Sequence, residues 1–128
     1  MARTMTRRPA ILWLEEPEDH DYPAAESYLR LVFNAKASDT YIRQLRAAPV
    51  LQFKAKDLFR ASGLSLLGVS NWHVQKDIGK IHDGKDLSPL LLVRHTPTAR
   101  LIVADGYHRL CAVYSLDEDA LIPAKIVG

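Results

Sequence analysis

The sequence between residues 101 and 114 changes from a strand pattern to a helix pattern at a single glycine. Residues 101–104 form a short, continuously apolar run, which is typical of a buried strand. After Gly106 the apolar residues recur at the spacing of one helical face, at Leu110, Val113 and Tyr114. This pattern predicts a strand over residues 100–104, followed through the glycine by a helix over residues 107–115.

An Asp-Gly hairpin between two strands is the alternative interpretation, because Asp-Gly is a common two-residue hairpin turn. The residues that follow Asp105 and Gly106 do not alternate between apolar and polar, and this favours the helix. We expect glycine at the turn because a Cβ there would crowd an approaching phosphate or forbid the dihedral angles.

The predicted turn has the properties of an anion-binding site. The first N–H groups of a helix lack partners within it, and the helix dipole places partial positive charge at the same end. Such a turn therefore offers backbone donors to phosphate oxygens. His108 and Arg109 fall in the first helical turn and add donors suited to phosphate. We expect Arg109 to face a polar cleft, so that its replacement leaves the fold intact.

Residues 104–112 resemble the G-x-x-R box of the ParB/sulfiredoxin superfamily, which includes ParB N-terminal domains, sulfiredoxins and free-serine kinases. The resemblance extends backwards through residues 74–78 and 84–93, where ParB-like domains have a helix, a glycine, a proline and a strand. It extends forwards to residues 122–127, which are similar to the closing strand of the family. The resemblance thus covers residues 72–127 and implies a ParB/sulfiredoxin-like fold.

The same resemblance implies a nucleotide-phosphate site at the turn, with ATP or CTP and Mg²⁺ as the expected ligands. Gly106, Tyr107, His108 and Arg109 are the candidate binding residues. Tyr107 stands where sulfiredoxins have their catalytic cysteine, and a phenol cannot perform that sulfur chemistry. We therefore expect no sulfiredoxin activity.

Asp105, directly before the glycine, is a candidate catalytic residue that would hold Mg²⁺ or accept a proton from a substrate hydroxyl. His108 is the second catalytic candidate, since with Arg109 it would offset the charge on a transferred phosphoryl group. Structural alternatives exist for all three side chains. Asp105 would form an Asx turn, Arg109 would pair with a nearby acid, and His108 would only cover the helix start.

Ser88 and Lys85 are second-rank candidates for contacts with the nucleotide. Ser88 precedes Pro89 at the entry to a strand, where ParB-like domains have a box whose backbone lies beside the nucleotide. A turn serine and a solvated lysine are interpretations of at least equal weight.

Composition limits the other function classes. The formal net charge is +2 without a long basic run, so a DNA or protein partner has no support from charge. The single cysteine, Cys111, excludes an internal disulfide and indicates a reducing, cytoplasmic location. No apolar stretch is long enough to cross a bilayer, so we expect no membrane association. The five histidines lack the spacing of zinc ligands, and we expect neither zinc nor haem.

The remaining sequence predicts an α+β or mixed α/β class, with a helical first half and a small mixed sheet flanked by helices. We expect one domain over residues 1–128, in which residues 1–20 are partly extended or frayed. No helix-turn-helix pattern follows the expected closing strand, so we expect no module for centromere-type DNA binding.

Helix ends are predicted from capping residues. Asp21 and Ser38 are the expected N-caps of the first two helices. Gly63 is expected to end a short helix that begins near residue 55, and Ser70 or Asn71 is expected to begin the next helix.

Two functions from different classes remain open. One is a small enzyme that binds a nucleoside triphosphate and transfers a phosphoryl group, as the free-serine kinases do. The other is a nucleotide-responsive binding or regulatory module, without turnover, that acts on a protein or DNA partner. Analysis of products after incubation with ATP or CTP and Mg²⁺ distinguishes them.

Overall fold

The computed structural model describes residues 10–66 and 71–128. The first half is mainly helical, and the second half alternates strands with helices. The elements are α1 (Asp21–Val32), α2 (Ala35–Ala47), β1 (Leu51–Lys54), α3 (Ala55–Ser62), α4 (Trp72–His82), β2 (Leu90–His95), β3 (Arg100–Asp105), α5 (Tyr107–Leu116) and β4 (Leu121–Val127).

The four strands form one mixed sheet in the order β1-β4-β2-β3. The outer pairs β1–β4 and β2–β3 are antiparallel, and the central pair β2–β4 is parallel. The chain leaves β2 through a short turn into β3 and returns through α5 to β4. This arrangement confirms the predicted α+β class with a small mixed sheet flanked by helices.

Helices cover both faces of the sheet, and β2 shows this most clearly. Leu90 and Leu92 pack with residues of α3, α4 and α5 on one face. Leu91 and Val93 pack with residues of α1 and α2 on the other. All four side chains are fully buried. A strand that is buried on both faces requires such a continuous apolar run instead of an alternating pattern.

The predicted strand, turn and helix around Gly106 are present. β3 continues to Asp105, one residue beyond the predicted end, and α5 begins at Tyr107. Gly106 lies between them with φ +107°, in the region that favours glycine. The hairpin alternative is therefore excluded.

Two predicted helix caps are wrong. His20 is the N-cap of α1, and Asp21 lies in the first turn with its carboxylate buried. Asn34 is the N-cap of α2, where its Oδ1 accepts from the N–H of Ala37 at 2.8 Å. Ser38 lies one turn further on and is buried against the helix, to whose backbone it donates. Tertiary burial of both side chains thus replaces the local capping role.

Two other helix ends were predicted correctly. Asn71 is the N-cap of α4, and its Oδ1 accepts from the N–H groups of His73 and Val74. Gly63 ends α3 with φ +66°, the left-handed conformation typical of this position. Ser70, the alternative start of α4, lies outside the described residues.

The segment before α1 runs beside Leu87, the residue that precedes Ser88. The N–H of Leu14 donates to the carbonyl of Leu87, and Trp13 forms a parallel bridge with the same residue. The Nζ of the buried Lys125 lies 3.0 Å from a carboxylate oxygen of Glu16.

Residues 1–9, part of the segment expected to be extended or frayed, lie outside the described residues. In the described ranges, no helix has the length and apolar character that a membrane crossing requires.

Candidate functional site

A polar cavity of about 160 Å³ lies where β3 turns into α5, and we call it the Gly106 pocket. Helix α4 packs against α5 and supplies its opposite wall. Four of the six predicted binding residues belong to its lining. The complete lining is His73, Lys76, Asp77, Lys80, Asp105, Gly106, Tyr107, His108 and Arg109.

Gly106 is required at the turn by its backbone and by its packing. A Cβ on Gly106 would lie 2.6 Å from Cγ of Leu90 and 3.0 Å from Nη2 of Arg109. Carbon atoms in contact are normally separated by about 3.5–4.0 Å, so the Leu90 contact is a severe overlap. The Asp-Gly turn in the sequence predicts the dihedral restriction, whereas this packing against β2 depends on the tertiary fold.

The N-terminus of α5 presents free backbone donors to the pocket. The first backbone hydrogen bond of the helix runs from the N–H of Leu110 to the carbonyl of Gly106, at 2.9 Å. Gly106 provides no side chain to cap the earlier donors. Among the described residues, the N–H groups of Tyr107, His108 and Arg109 have no hydrogen-bond acceptor. These groups and the helix dipole make the pocket attractive to an anion.

Arg109 is largely buried, with only 18% of its side chain exposed. Its Nη2 donates to Oδ2 of Asp105 at 2.8 Å and lies 3.9 Å from Oδ2 of Asp21. Its Nε is buried without a partner in the described part of the chain. Arg109 lines the polar pocket, as expected, but it is also paired with Asp105, so we expect its removal to reduce stability.

The two carboxylates of the pocket are held in surroundings that disfavour their charge. Burial raises the pKa of the Asp105 carboxyl, although the adjacent Arg109 guanidinium acts in the opposite direction. Burial likewise raises the pKa of Asp77, against the attraction of Lys80, whose Nζ lies 3.9 Å away. Both acids are therefore more readily neutralised than exposed aspartates, which reduces their repulsion of an anion.

Asp105 meets only part of the requirement for a magnesium ligand. Mg²⁺ bound to a nucleotide needs only one or two protein carboxylates, because phosphates and water complete its shell. The Oδ2 of Asp105 already accepts from Arg109, so Oδ1 is the oxygen that a cation would approach. Within the described ranges, the one group of three clustered metal-ligand side chains is Glu18, His20 and Asp21, and Asp105 is not a member of it.

A row of aromatic rings borders the Gly106 pocket. The rings of His73 and His108 lie 4.6 Å apart, and Trp72 and Tyr107 extend the row at either end. Trp72 is 63% exposed, and the Nζ of Lys76 lies 5.3 Å from its ring centroid. The row joins α4 to α5, so the spacing of the histidines along the chain does not reveal it.

The His108 side chain favours the neutral form more than a free histidine does. Burial lowers its pKa, and the neighbouring His73 and Arg109 lower it further, while Asp77 opposes them. A neutral imidazole both donates and accepts hydrogen bonds, so His108 is able to contact either a phosphate oxygen or a hydroxyl.

Ser88 and Lys85 do not belong to the lining of the Gly106 pocket. Ser88 is buried, donates to the carboxylate of Asp21 and accepts from the N–H of Glu18 at 3.1 Å. Lys85 is exposed in the loop after α4. Ser88 therefore fixes the start of α1, and it reaches the site only indirectly, through Asp21 and Arg109.

Asp21 is the site residue that the sequence analysis assigned to another role. It lies far from Arg109 in the sequence, and no local pattern distinguishes it from a capping aspartate.

A scan against protein-family models finds no match, and neither a curated protein nor a solved structure matches this chain. The resemblance to the ParB/sulfiredoxin superfamily therefore rests on the residues quoted above.

Proposed function

We propose that the Gly106 pocket binds the phosphate groups of a nucleotide, ATP or CTP with Mg²⁺, in a ParB-like domain. The observation that carries this proposal is that unpaired N–H groups and basic side chains line the same small cavity. The N–H groups at the start of α5 border the same pocket as Arg109, whose buried Nε has no partner among the described residues. Lys76 and Lys80 add mobile positive charge from the facing helix.

The size of the pocket indicates which part of a nucleotide it would hold. About 160 Å³ is enough for phosphate groups but falls below the roughly 300 Å³ at which whole-ligand pockets begin. The base would lie outside, against the exposed ring of Trp72 and the neighbouring His73. Stacking of a base on an aromatic side chain contributes about 1–3 kcal/mol and tolerates different bases. We therefore expect such a site to bind ATP and CTP alike.

The surroundings of Asp105 favour binding over catalysis. Its carboxylate is paired with Arg109 at 2.8 Å, so holding Mg²⁺ or taking a proton would require it to loosen that pair. When bound, Mg²⁺ would neutralise charge on the phosphates and orient them. Arg109 and His108 would then face the phosphoryl group from the helix start.

We propose that the protein is a nucleotide-responsive module that acts with a protein or DNA partner. Phosphoryl transfer is the second candidate function. The single cysteine fits a reducing cytoplasm.

Calorimetric titration with ATP and CTP, each with Mg²⁺, tests the binding proposal. The double variant Lys76→Gln and Lys80→Gln removes two charges from the pocket wall. It leaves the pair of Arg109 with Asp105 in place but ends the 3.9 Å contact between Lys80 and Asp77. We expect it to bind about tenfold or more weakly, which corresponds to about 1.4 kcal/mol or more. Lys36→Gln, at an exposed position on α2, is the matched control and should bind as the wild type does. Equal affinity for the double variant and the wild type would refute the proposed site.

Product analysis with small hydroxyl acceptors separates the two candidate functions. If the protein is an enzyme, wild type will convert ATP or CTP, and Asp105→Asn will largely lose turnover while metal-free affinity changes little. Asn retains an acceptor for Arg109, so the substitution tests the charge of Asp105 and not its shape. Binding without products would favour the module and exclude turnover with the acceptors used.

A further inference from the structure

A second cavity, of about 390 Å³, lies on the face of the sheet that α3 covers, beside the β2–β3 turn. We call it the hairpin cavity. It lies at the opposite end of β3 from the Gly106 pocket, about 17 Å away, because a strand advances by about 3.3 Å per residue. Its lining is Phe53, Asp57, Leu58, Ala61, Arg94, His95, Thr96, Ala99, Arg100, Leu101 and Ile126.

The floor of the hairpin cavity is apolar and is built from four separate elements. Phe53 of β1, Leu101 of β3 and Ile126 of β4 contribute side chains from the sheet. Leu58 and Ala61 form the wall on α3. Leu58 and Leu101 are almost completely buried, whereas Phe53 and Ile126 are only partly covered. This floor can accept an apolar group, as small-molecule pockets of 300 Å³ or more usually do.

The rim of the hairpin cavity carries two arginines that lack acidic partners. Arg94 lies on the same face of β2 as Leu92, since residues two apart in a strand share a face. Arg100 begins β3, and its Cζ would lie only 3.3 Å from a Cβ placed on Gly63, so it spans the end of α3. Among the described residues neither arginine forms an ion pair. Both are exposed and available to a ligand.

Two other polar residues of the lining, Asp57 and His95, are already engaged. Asp57 forms an ion pair with Arg60 at 2.8 Å, so it does not neutralise the two free arginines. The Nδ1 of His95 lies 2.8 Å from Oγ1 of Thr98, and its ring packs against Phe33. The hairpin cavity thus combines an uncharged floor with uncompensated positive charge at its mouth.

We propose that the hairpin cavity binds a small apolar molecule that carries a carboxylate, such as a medium-chain fatty acid. The hydrocarbon body covers the floor formed by Phe53, Leu58 and Leu101, which removes apolar surface from water. The carboxylate lies between Arg94 and Arg100, whose planar guanidinium groups match its two oxygens. This proposal does not depend on nucleotide binding at the Gly106 pocket.

Calorimetric titration with octanoate tests this proposal, with 1-octanol and octylamine as ligands of similar length but different charge. We expect saturable octanoate binding in the millimolar range or tighter, with octanol about tenfold weaker and octylamine not bound. The double variant Arg94→Gln and Arg100→Gln should bind octanoate about tenfold or more weakly. Arg43→Gln, on an exposed face of α2, is the matched control and should bind normally.

Ala61→Trp provides an independent variant that fills the hairpin cavity without changing any charge. We expect it to abolish octanoate binding while circular dichroism shows an unchanged fold. Absence of octanoate binding to wild type, equal affinity for octanoate and octanol, or unchanged affinity in either variant would each overturn the proposal. ATP with Mg²⁺ should not displace octanoate, because the two sites lie at opposite ends of β3.

Discussion

The two ends of β3 use arginine in opposite ways. At Asp105 the strand meets Arg109, whose guanidinium is mostly buried and paired with carboxylates of β3 and α1. At the other end, Arg100 is exposed and forms no ion pair within the described ranges. One arginine therefore holds elements of the fold together, while the other is free to meet a ligand. Proximity of an arginine to a cavity does not by itself distinguish these roles.

Replacement of each arginine by alanine provides the largest expected difference between the two ends. Arg109→Ala removes the cation of a buried pair, which typically destabilises a protein by about 3–5 kcal/mol. Arg100→Ala changes an exposed side chain and should stay within about 0.5 kcal/mol of wild type. Urea unfolding measures both free energies. Equal stability of the two variants would show that the Arg109 pairs contribute nothing to the fold.

Glycine substitutions test whether the turn at the buried end is as constrained as its packing indicates. Gly106→Ala introduces a Cβ that overlaps Leu90 at a positive φ, and we expect a loss of about 2–5 kcal/mol. Gly79→Ala, inside α4, meets no atom within 4 Å and should stabilise the protein by about 0.5–1 kcal/mol. Thermal or urea unfolding gives the two changes. A stable Gly106→Ala variant would contradict the described turn.

The pH dependence of stability tests the buried acids of the Gly106 pocket. Because burial raises the pKa of Asp77, the folded protein holds this proton more tightly than the unfolded chain does. Stability should therefore fall as the pH rises from 3.8, the ordinary pKa of an aspartate, through the raised pKa of Asp77. Asp77→Asn should reduce this slope and stabilise the protein at pH 7 by up to about 1 kcal/mol.

Asp39→Asn is the matched control for this titration, because Asp39 is exposed and lies 3.6 Å from Arg43 on α2. It should change stability at pH 7 by no more than about 0.5 kcal/mol. A slope that persists in full after Asp77→Asn would assign the titration to Asp105, whose pKa burial also raises.

The features that the sequence predicts correctly are formed by residues close together along the chain. The apolar run of β3, Gly106 and the spacing of α5 lie within a few residues of one another, so their pattern determines strand, turn and helix. The same holds for the caps at Asn71 and Gly63, where one residue satisfies adjacent backbone groups.

What the sequence could not predict depends on packing between distant segments. Asp21 has the position of a cap, but the placement of α1 on the sheet brings it to Ser88 and Arg109. His73 meets His108 only because α4 lies beside α5. The hairpin cavity is lined by residues of five elements, so no single stretch of sequence indicates it.

The central claim is that an anionic ligand binds at the N-terminus of α5. A ¹⁵N NMR titration with ATP and Mg²⁺ tests it most directly, because the backbone amides themselves are the proposed donors. We predict large, saturable shifts for the amides of Tyr107, His108 and Arg109, with little change at Arg100. Binding of ATP that leaves these three amides unchanged, or no binding at all, would contradict the account.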